Sequence, residues 1–403
     1  IANLATPATT LEVITSWGSG FWNLLSFAMQ MLLVLVTGYM LASTSLISML
    51  LTKLATLANT APKAIILVTF ISLLASWLNW GFGLVIGALF AKAIAKQTRV
   101  DYRLLVASAY SGFVVWHGGL AGSVPLTIAT EGHFSQATMG IIGTQQTLFA
   151  GFNIAILIGL FIIMPLVNRY MLPNEKDSVY IDPSLLENTL TDKVAITRPA
   201  QHLEQSKLLG MGIGLLGLAY LGYYFFIAGG GLNLNSVIAL FLFLAITLHQ
   251  TPHNLLNSLQ QAIPSGAGIV IQFPFYAGIM AVMVDTGLAQ QISQGFIAIA
   301  DADSLPFYSF ISAGLVNMFV PSGGGQWAVQ APIVIPAAQE LGADMARVAM
   351  AVAWGDAWTN LIQPFWALPV LAIAGLKAKD IMGFCVVQLI ITGVFISLVL
   401  SFY

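Results

Sequence analysis

Charge is scarce in this sequence: Asp, Glu, Lys and Arg together make up 7% of its 403 residues, against about 25% in a soluble domain. So small a stock cannot cover a water-facing surface, which excludes an ordinary soluble globular fold. The net charge of −2 argues against a nucleic-acid partner. Cysteine is scarcer still. Cys385 stands alone in an apolar run, so neither a disulfide nor a cysteine metal site can form. His249 and His253 have i, i+4 spacing, but Pro252 disrupts a helix between them, and no metal or other cofactor is expected. Strands of about ten alternating residues, which would mark a membrane β-barrel, are not found. No Ser-His-Asp order or pair of catalytic acids falls at one depth, so an enzyme is not expected. The chain opens without a charged leader and with Ile rather than Met, and its start is read as lying upstream.

What is present is apolar. Hydrophobic residues fill 58% of the chain and the mean hydropathy is +0.87. Runs such as Leu24–Ala42, Ile154–Val167, Leu209–Ala228 and Ile381–Phe402, with their flanks, match the roughly 20 residues of a spanning helix. They predict an all-α integral membrane protein. Its organising stretch is Val320–Pro321–Ser322–Gly323–Gly324–Gly325–Gln326–Trp327, between the apolar runs Phe307–Phe319 and Ala328–Ala338. Each glycine costs a helix about 1 kcal/mol relative to alanine, and proline removes a donor, so the helix breaks there. In lipid, broken backbone is tolerated only beside protein or an aqueous cavity. A counterpart, Asn79–Trp80–Gly81–Phe82–Gly83, lies between Ala64–Leu78 and Leu84–Ala91. Paired interruptions in two halves point to a transporter's binding site.

Shifting the sequence on itself by 242 places Gln30 on Gln272, Thr44 on Thr286, Gly81 on Gly323 and Gly83 on Gly325. A shift of 243 or 244 then places Asp101 on Asp344, Gly112 on Gly355 and Pro125 on Pro369. The shared offset predicts a duplication. In it, residues 1–171 form the first repeat, with an N-terminal helix missing. Residues 172–207 are a cytoplasmic connection containing the breakers Asp182–Pro183 and Arg198–Pro199, residues 208–233 a linking transmembrane helix, and residues 234–403 the second repeat. Lys and Arg collect on the cytoplasmic side of span ends. Lys53, Lys63, Lys92, Lys96, Arg99 and Arg103 mark connections of the first repeat, whereas Asp301, Asp303, Glu340 and Asp344 mark those of the second. The repeats are therefore read as inverted, each with a re-entrant helical hairpin tipped at residues 79–83 or 321–325. Each also has a discontinuous transmembrane helix, Leu104–Thr130 broken at Trp116–Gly119 and Val348–Leu376 broken from Asp356 to Pro364.

A helix restarting at a glycine tip presents free N–H groups and the positive end of its dipole, which suits a carboxylate. Neither the tips nor the breaks contain Lys or Arg, so a singly charged anion fits best. Its binding residues are expected among Asn79, Trp80, Gly81, Gly83, Trp116, His117, Ser322, Gly323, Gly324, Gly325, Gln326, Trp327, Trp358 and Asn360, with Gln330 a further donor. Five of the nine tryptophans, Trp80, Trp116, Trp327, Trp358 and Trp366, fall in or beside the breaks and could wall a small pocket for a short acyl tail. Trp17 and Trp22 suit the interfacial belt. Asp356, an acid inside an apolar segment, is functional by default. With Asn79 and Ser322 it is a candidate for handling the coupling ion, proton or sodium. The plainer readings are close packing for the glycines, a structural acid at Asp356, a satisfied structural histidine at His117, and interhelical hydrogen bonds for Gln30 and Gln272.

The runs Gly20–Phe21–Trp22–Asn23–Leu24–Leu25, Asn79–Trp80–Gly81–Phe82–Gly83–Leu84–Val85, Gln272–Phe273–Pro274–Phe275–Tyr276–Ala277–Gly278, Val320–Pro321–Ser322–Gly323–Gly324–Gly325 and Gln363–Pro364–Phe365–Trp366–Ala367–Leu368–Pro369 resemble the short-chain fatty acid transporter family of the AtoE type. The likeness covers nearly the whole chain. It implies membership of a wider ion-transporter superfamily with two hairpins meeting at a central site. Dicarboxylate carriers of that superfamily have Ser-Asn-Thr at their tips, unlike the tips here, so their sodium sites do not carry over. The resemblance implies secondary transport of short monocarboxylates such as butyrate, acetate or acetoacetate, with a proton or sodium ion, by an elevator or rocking alternating-access movement in the bacterial inner membrane. A homodimer is the oligomer to look for. The rival on the same scaffold is a sodium/proton or amino-acid antiporter.

Overall fold

Apolar runs that pair their own backbone groups become helices, since hydrocarbon offers those groups no other partner. The computed structural model describes residues 2–182 and 198–403, and all regular structure among them is helical. Part of the expected connection 172–207, including Pro183, lies outside the described residues. The chain runs through α1 (Ala2–Ala5), α2 (Thr10–Gly20), α3 (Leu25–Ala42), α4 (Ser45–Ala55), α5 (Ala61–Leu78), α6 (Trp80–Ala95) and α7 (Tyr102–Ser111). A 3-10 stretch, Gly112–Gly118, leads to α8 (Ser123–Ile128), α9 (Gln136–Met139) and α10 (Gly151–Tyr170). After α11 (Pro199–Glu204) and α12 (Lys207–Phe226) come α13 (Leu234–His249), α14 (Pro252–Ala262), α15 (Ala267–Asp285) and α16 (Leu288–Ile299). Then follow α17 (Leu305–Asn317), α18 (Gly323–Leu341), α19 (Met345–Thr359), a 3-10 turn Asn360–Ile362, α20 (Pro364–Ala374) and α21 (Ala378–Phe402).

Seven of these helical segments are long and apolar enough to cross a bilayer, and an eighth if α19 and α20, bent by 45°, count as one span. Local chemistry fixes their ends. Thr9 and Glu12 form a reciprocal capping box at α2. Asp101 accepts from the Leu104 N–H at 2.8 Å to start α7, and Gly342, at φ 68°, ends α18.

Element boundaries recur along the chain. Adding 242 to α2 (10–20) gives 252–262, the bounds of α14, and adding it to α3 (25–42) gives 267–284, against Ala267–Asp285 for α15. Elements at that offset also exchange neighbours. Gly20 of α2 lies against Ala277 and Ala281 of α15, while Ser258 of α14 hydrogen-bonds Ser43 at the end of α3 at 2.7 Å.

Two kinds of contact hold the helices. Behind the helix breaks, amides tie neighbours together: Asn168 of α10 donates to Thr69 of α5 and Ser111 of α7, each at 2.9 Å, and accepts from Gln388 of α21 at 2.7 Å. Elsewhere small residues let backbones approach. Gly83 sits on Ser76 and Gly87 on Ser72, which sets α5 and α6 antiparallel. Gln30 forms the expected interhelical bond, to Asn235 at 2.8 Å. Gln272 does not: it accepts from Tyr276 of its own helix at 3.3 Å.

Candidate functional site

The two broken helices bring their breaks together. In the first, α7 tightens into the 3-10 stretch and the chain goes extended at Gly119, with ψ 177°. Gly119 is needed because a β-carbon there would fall on the Trp77 carbonyl, and the next residue, Leu120, donates its N–H to that same oxygen at 2.7 Å. The break is thus fastened to the turn between α5 and α6. In the second, Gln363 is extended before Pro364 restarts the helix.

At the crossing, His117 donates from Nδ1 to the Ala353 carbonyl of α19 at 2.7 Å, and the same nitrogen lies 3.3 Å from Asp356 Oδ2. Both residues are buried. Asn360 donates to Asp356 Oδ2 at 3.1 Å and also to the Asp356 carbonyl. Asn317, the last residue of α17, donates to the Asp356 carbonyl at 3.0 Å and to Thr359 Oγ1 at 2.9 Å, and Gln363 donates to the Asn317 carbonyl. Tyr110 donates to the Gln363 carbonyl at 3.3 Å and to that of Asn360. No Lys or Arg takes part. An ion pair, Arg103–Asp101, stands apart at the start of α7. Buried acceptors without a partner accumulate here: His117 Nε2, Asp356 Oδ1, Asn360 Oδ1 and Asn317 Oδ1. An acceptor left unpaired in a dry site is costly, so this arrangement calls for a ligand bringing hydrogen or positive charge.

Aromatic rings wall the same place. The Trp116 ring stacks on His117 with centroids 3.5 Å apart. Trp80, Trp116 and Trp366 form a triangle with centroid separations of 5.8, 5.6 and 6.2 Å, and Phe113 lies parallel to Trp116 at 5.5 Å. None of the three indole N–H groups has a partner. Such rings offer an apolar wall with a polar handle.

The hairpin tips reach this wall differently. Asn79 caps α6 by accepting from the Phe82 N–H at 2.9 Å, and Trp80, its first residue, joins the triangle. Gly81 instead lies on the α3 backbone at Leu35, and Gly83 on Ser76. Ser322 caps α18 by accepting from the Gly325 N–H at 3.4 Å. Gly323 lies directly against His117 and Trp116, Gly324 against Phe27 and Met31 of α3, and Gly325 against Tyr276 of α15. Gln326 is engaged beside the tip, donating to the Ala313 carbonyl at 2.8 Å and to Gln330 at 2.7 Å.

Trp80, Trp116, His117, Gly323, Asp356 and Asn360 thus come together. Trp358 and Trp327 do not join them. Trp358 stacks on Phe310 at 4.9 Å, fills the space beside Gly314 and Gly393, and donates to the Leu389 carbonyl at 2.7 Å. Trp327 is buried in a separate apolar cluster with Val124, Ile128 and Ala331. Sequence reasoning does not single out Asn317, Thr359, Gln363 or Tyr110. The available signal was Asn317 alone in the run Phe307–Phe319, four residues before Pro321, and Gln363 directly before Pro364.

A cavity of about 350 Å³ is lined by Asn23, Phe27, Gln30, Glu131, His133 and Asn235 among others, and Phe27 is also the side chain that lies against Gly324. Burial holds the His133 imidazole below the ordinary histidine range, against the opposing hydrogen bond to the Gly140 carbonyl.

A multi-pass helical chain that gathers a buried acid, a histidine and side-chain amides where two interrupted helices meet has the build of a membrane transporter. The family model described as "Short chain fatty acid transporter" matches residues 1–403, and the chain belongs to that family, a family of transporters rather than enzymes. It is 45% identical over 407 residues to an Escherichia coli (strain K12) protein named for short-chain fatty acid transport, covering 100% of this chain and 92% of that one. A similarly named Haemophilus influenzae protein is 44% identical over 399 residues, covering 96% and 89%. Among solved structures, the YdaH transporter of Alcanivorax borkumensis, described as having an unusual topology, is similar with a TM-score of 0.56 at 17% identity, covering 96% of this chain and 86% of that one. That likeness concerns the fold alone. The chain is a multi-pass protein of the inner membrane.

Proposed function

We propose that this protein is a secondary active transporter of short-chain monocarboxylates such as butyrate, acetate and acetoacetate, moving each with a proton or sodium ion by alternating access. The observation that carries this reading is the meeting of Gly323, from the second tip, and Trp80, from the first, on the Trp116–His117 break. Free N–H groups at the start of α18 would hold the carboxylate, and the tryptophan triangle would accept the short tail. The absence of Lys and Arg from the site suits one negative charge rather than two.

In this reading the repeats are inverted and the hairpins re-entrant. A helix reaching from one face to the bilayer midplane needs about ten residues, whereas α5 and α6 have 18 and 16. Their outer turns, carrying Lys63 and Lys92, would stand beyond the hydrocarbon. The vestibule lined by Phe27 would be one route to the tip.

The test is uptake of labelled butyrate into liposomes carrying the purified protein, against protein-free liposomes as baseline, with sodium and proton gradients imposed separately. Saturable uptake above baseline, inhibited by acetate, is expected. Uptake indistinguishable from baseline under both gradients would reject the reading, and exchange of sodium for protons without butyrate would favour the antiporter.

A further inference from the structure

We propose that the coupling ion is a proton and that it is held between His117 Nε2 and the carboxyl group of the substrate. This rests on the transport reading above. The Ala353 carbonyl can only accept, so its 2.7 Å bond places the ring hydrogen of neutral His117 on Nδ1. Nε2 is then a lone-pair acceptor. His117 is 0% exposed and Nε2 has no partner. It is aimed at the tip of α18, since a β-carbon on Gly323 would overlap Cε1 and Nε2.

Gly323 is the first residue of a 19-residue helix. Gly325 N–H is used by the Ser322 cap, which leaves the N–H groups of Gly323 and Gly324 as the helix's unshared donors. One acceptor and two donors therefore stand side by side. That pattern complements a carboxyl group together with its proton: one oxygen shares the proton with Nε2, and the other accepts from the backbone.

Charge balance points the same way. The elements around His117 bring Asp356 from α19 at 3.3 Å. Tyr110 of α7 is turned to the Asn360 and Gln363 carbonyls, and Tyr276 of α15 lies at Gly325. Arg103 of α7, Lys63 of α5, Lys92 of α6, Arg169 of α10, Glu340 of α18 and Arg347 of α19 stand in the terminal turns away from the tip, and α8 has no charged residue. An organic anion entering beside Asp356 therefore meets no fixed cation. One proton taken from water cancels the charge that the anion brings, held as N–H⁺ against carboxylate or as imidazole against carboxylic acid. No covalent bond of the chain changes, and Asp356 acts as a positioning residue through Nδ1. A sodium ion would need oxygen ligands. Its best place is the unpaired oxygens of Asp356, Asn360 and Asn317, which defines the rival outcome.

The experiment is butyrate binding to the purified full-length protein in detergent, followed by calorimetry in two buffers of different ionisation enthalpy. Wild type should take up about one proton per butyrate without needing sodium, and its Kd should rise about tenfold per pH unit above neutral, since binding that consumes a proton weakens as protons become scarce. H117Q, which keeps a polar side chain but cannot titrate, should take up none and lose that slope. D356N should still take up one. Binding without proton uptake, sodium-dependent binding, or full uptake by H117Q would each overturn the proposal while leaving the transport reading standing. If H117Q does not fold, wild type labelled with 15N-histidine gives the same answer: the Nε2 resonance must shift on adding butyrate as its lone pair takes up or shares the proton, and an unmoved resonance refutes the assignment. Failure of folded wild type to bind butyrate at all would remove the transport reading and this proposal with it.

Discussion

The two glycine tips are alike in sequence and opposite in use. At the first, Gly81 is pressed onto the backbone of Leu35, with a virtual β-carbon 2.8 Å from its carbonyl oxygen. Gly83 is pressed onto Ser76 in the other arm of the same hairpin. At the second, Gly323, Gly324 and Gly325 meet side chains from three other segments: His117 with Trp116, Phe27, and Tyr276. One tip uses its missing side chains to seat a helix. The other uses them to admit polar and aromatic side chains close to its N–H groups. Glycine clusters in a membrane helix therefore admit different neighbours, backbone at one tip and side chains at the other, and under the proposed function only the second is a binding tip.

This difference can be broken most forcefully at Gly324. A β-carbon there would lie 2.6 Å from the Phe27 ring, and a leucine would fill the tip. G324L is expected to reduce butyrate uptake to the protein-free level while the protein still inserts, as judged by membrane yield and gel filtration; uptake at the wild-type rate would remove the second tip from the site. G81A strikes rigid backbone instead. It should destabilise the fold by about 1–3 kcal/mol, seen as a lower Tm, with little change in KM for the molecules that remain folded. A raised KM at unchanged Tm would make the two tips equivalent.

The tryptophans sharpen the contrast with smaller effects. W366F or W80F replaces an indole of the wall by the smaller phenyl ring, and the loss of about 1 kcal/mol of apolar contact with the tail should raise the KM for butyrate roughly fivefold. W358F removes a bond to the Leu389 carbonyl and should lower thermal stability by about 0.5–1.5 kcal/mol with KM unchanged. Equal KM effects from Trp358 and Trp366 would mean that the wall is drawn wrongly.

Much of this was legible without coordinates, and the limit has a physical cause. Glycine clusters and proline interrupt helices wherever they stand, so the break at residues 116–119 and the restart at Pro364 could be read from residue type alone, whereas the second break begins at Asn360 and not at Asp356, since α19 continues through Thr359. Asp356 and His117 also stood out, because ionisable groups are rare in apolar runs. Direction around the helix axis was not legible. A helix apolar on every side has no polar stripe to show which face is turned inward, so Trp358 and Trp366 read alike although one faces α21 and the other the site. Nor could spacing reveal that Asp356 and His117 touch, or that Asn317 closes the network, since those contacts join residues far apart in the chain.

The seam between the second tip and its surroundings has a mechanical consequence. Gly324 and Gly325 rest on Phe27, Met31 and Tyr276 through van der Waals contact, and at the first tip Gly81 rests on Leu35 beside one weak bond, Asn79 to the Val34 carbonyl at 3.4 Å. Behind the breaks, by contrast, Asn168 and Asn153 rivet α5, α7, α10, α19 and α21 through short amide bonds. Displacing the glycine face along α3 and α15 would therefore break fewer hydrogen bonds than parting the block behind the breaks.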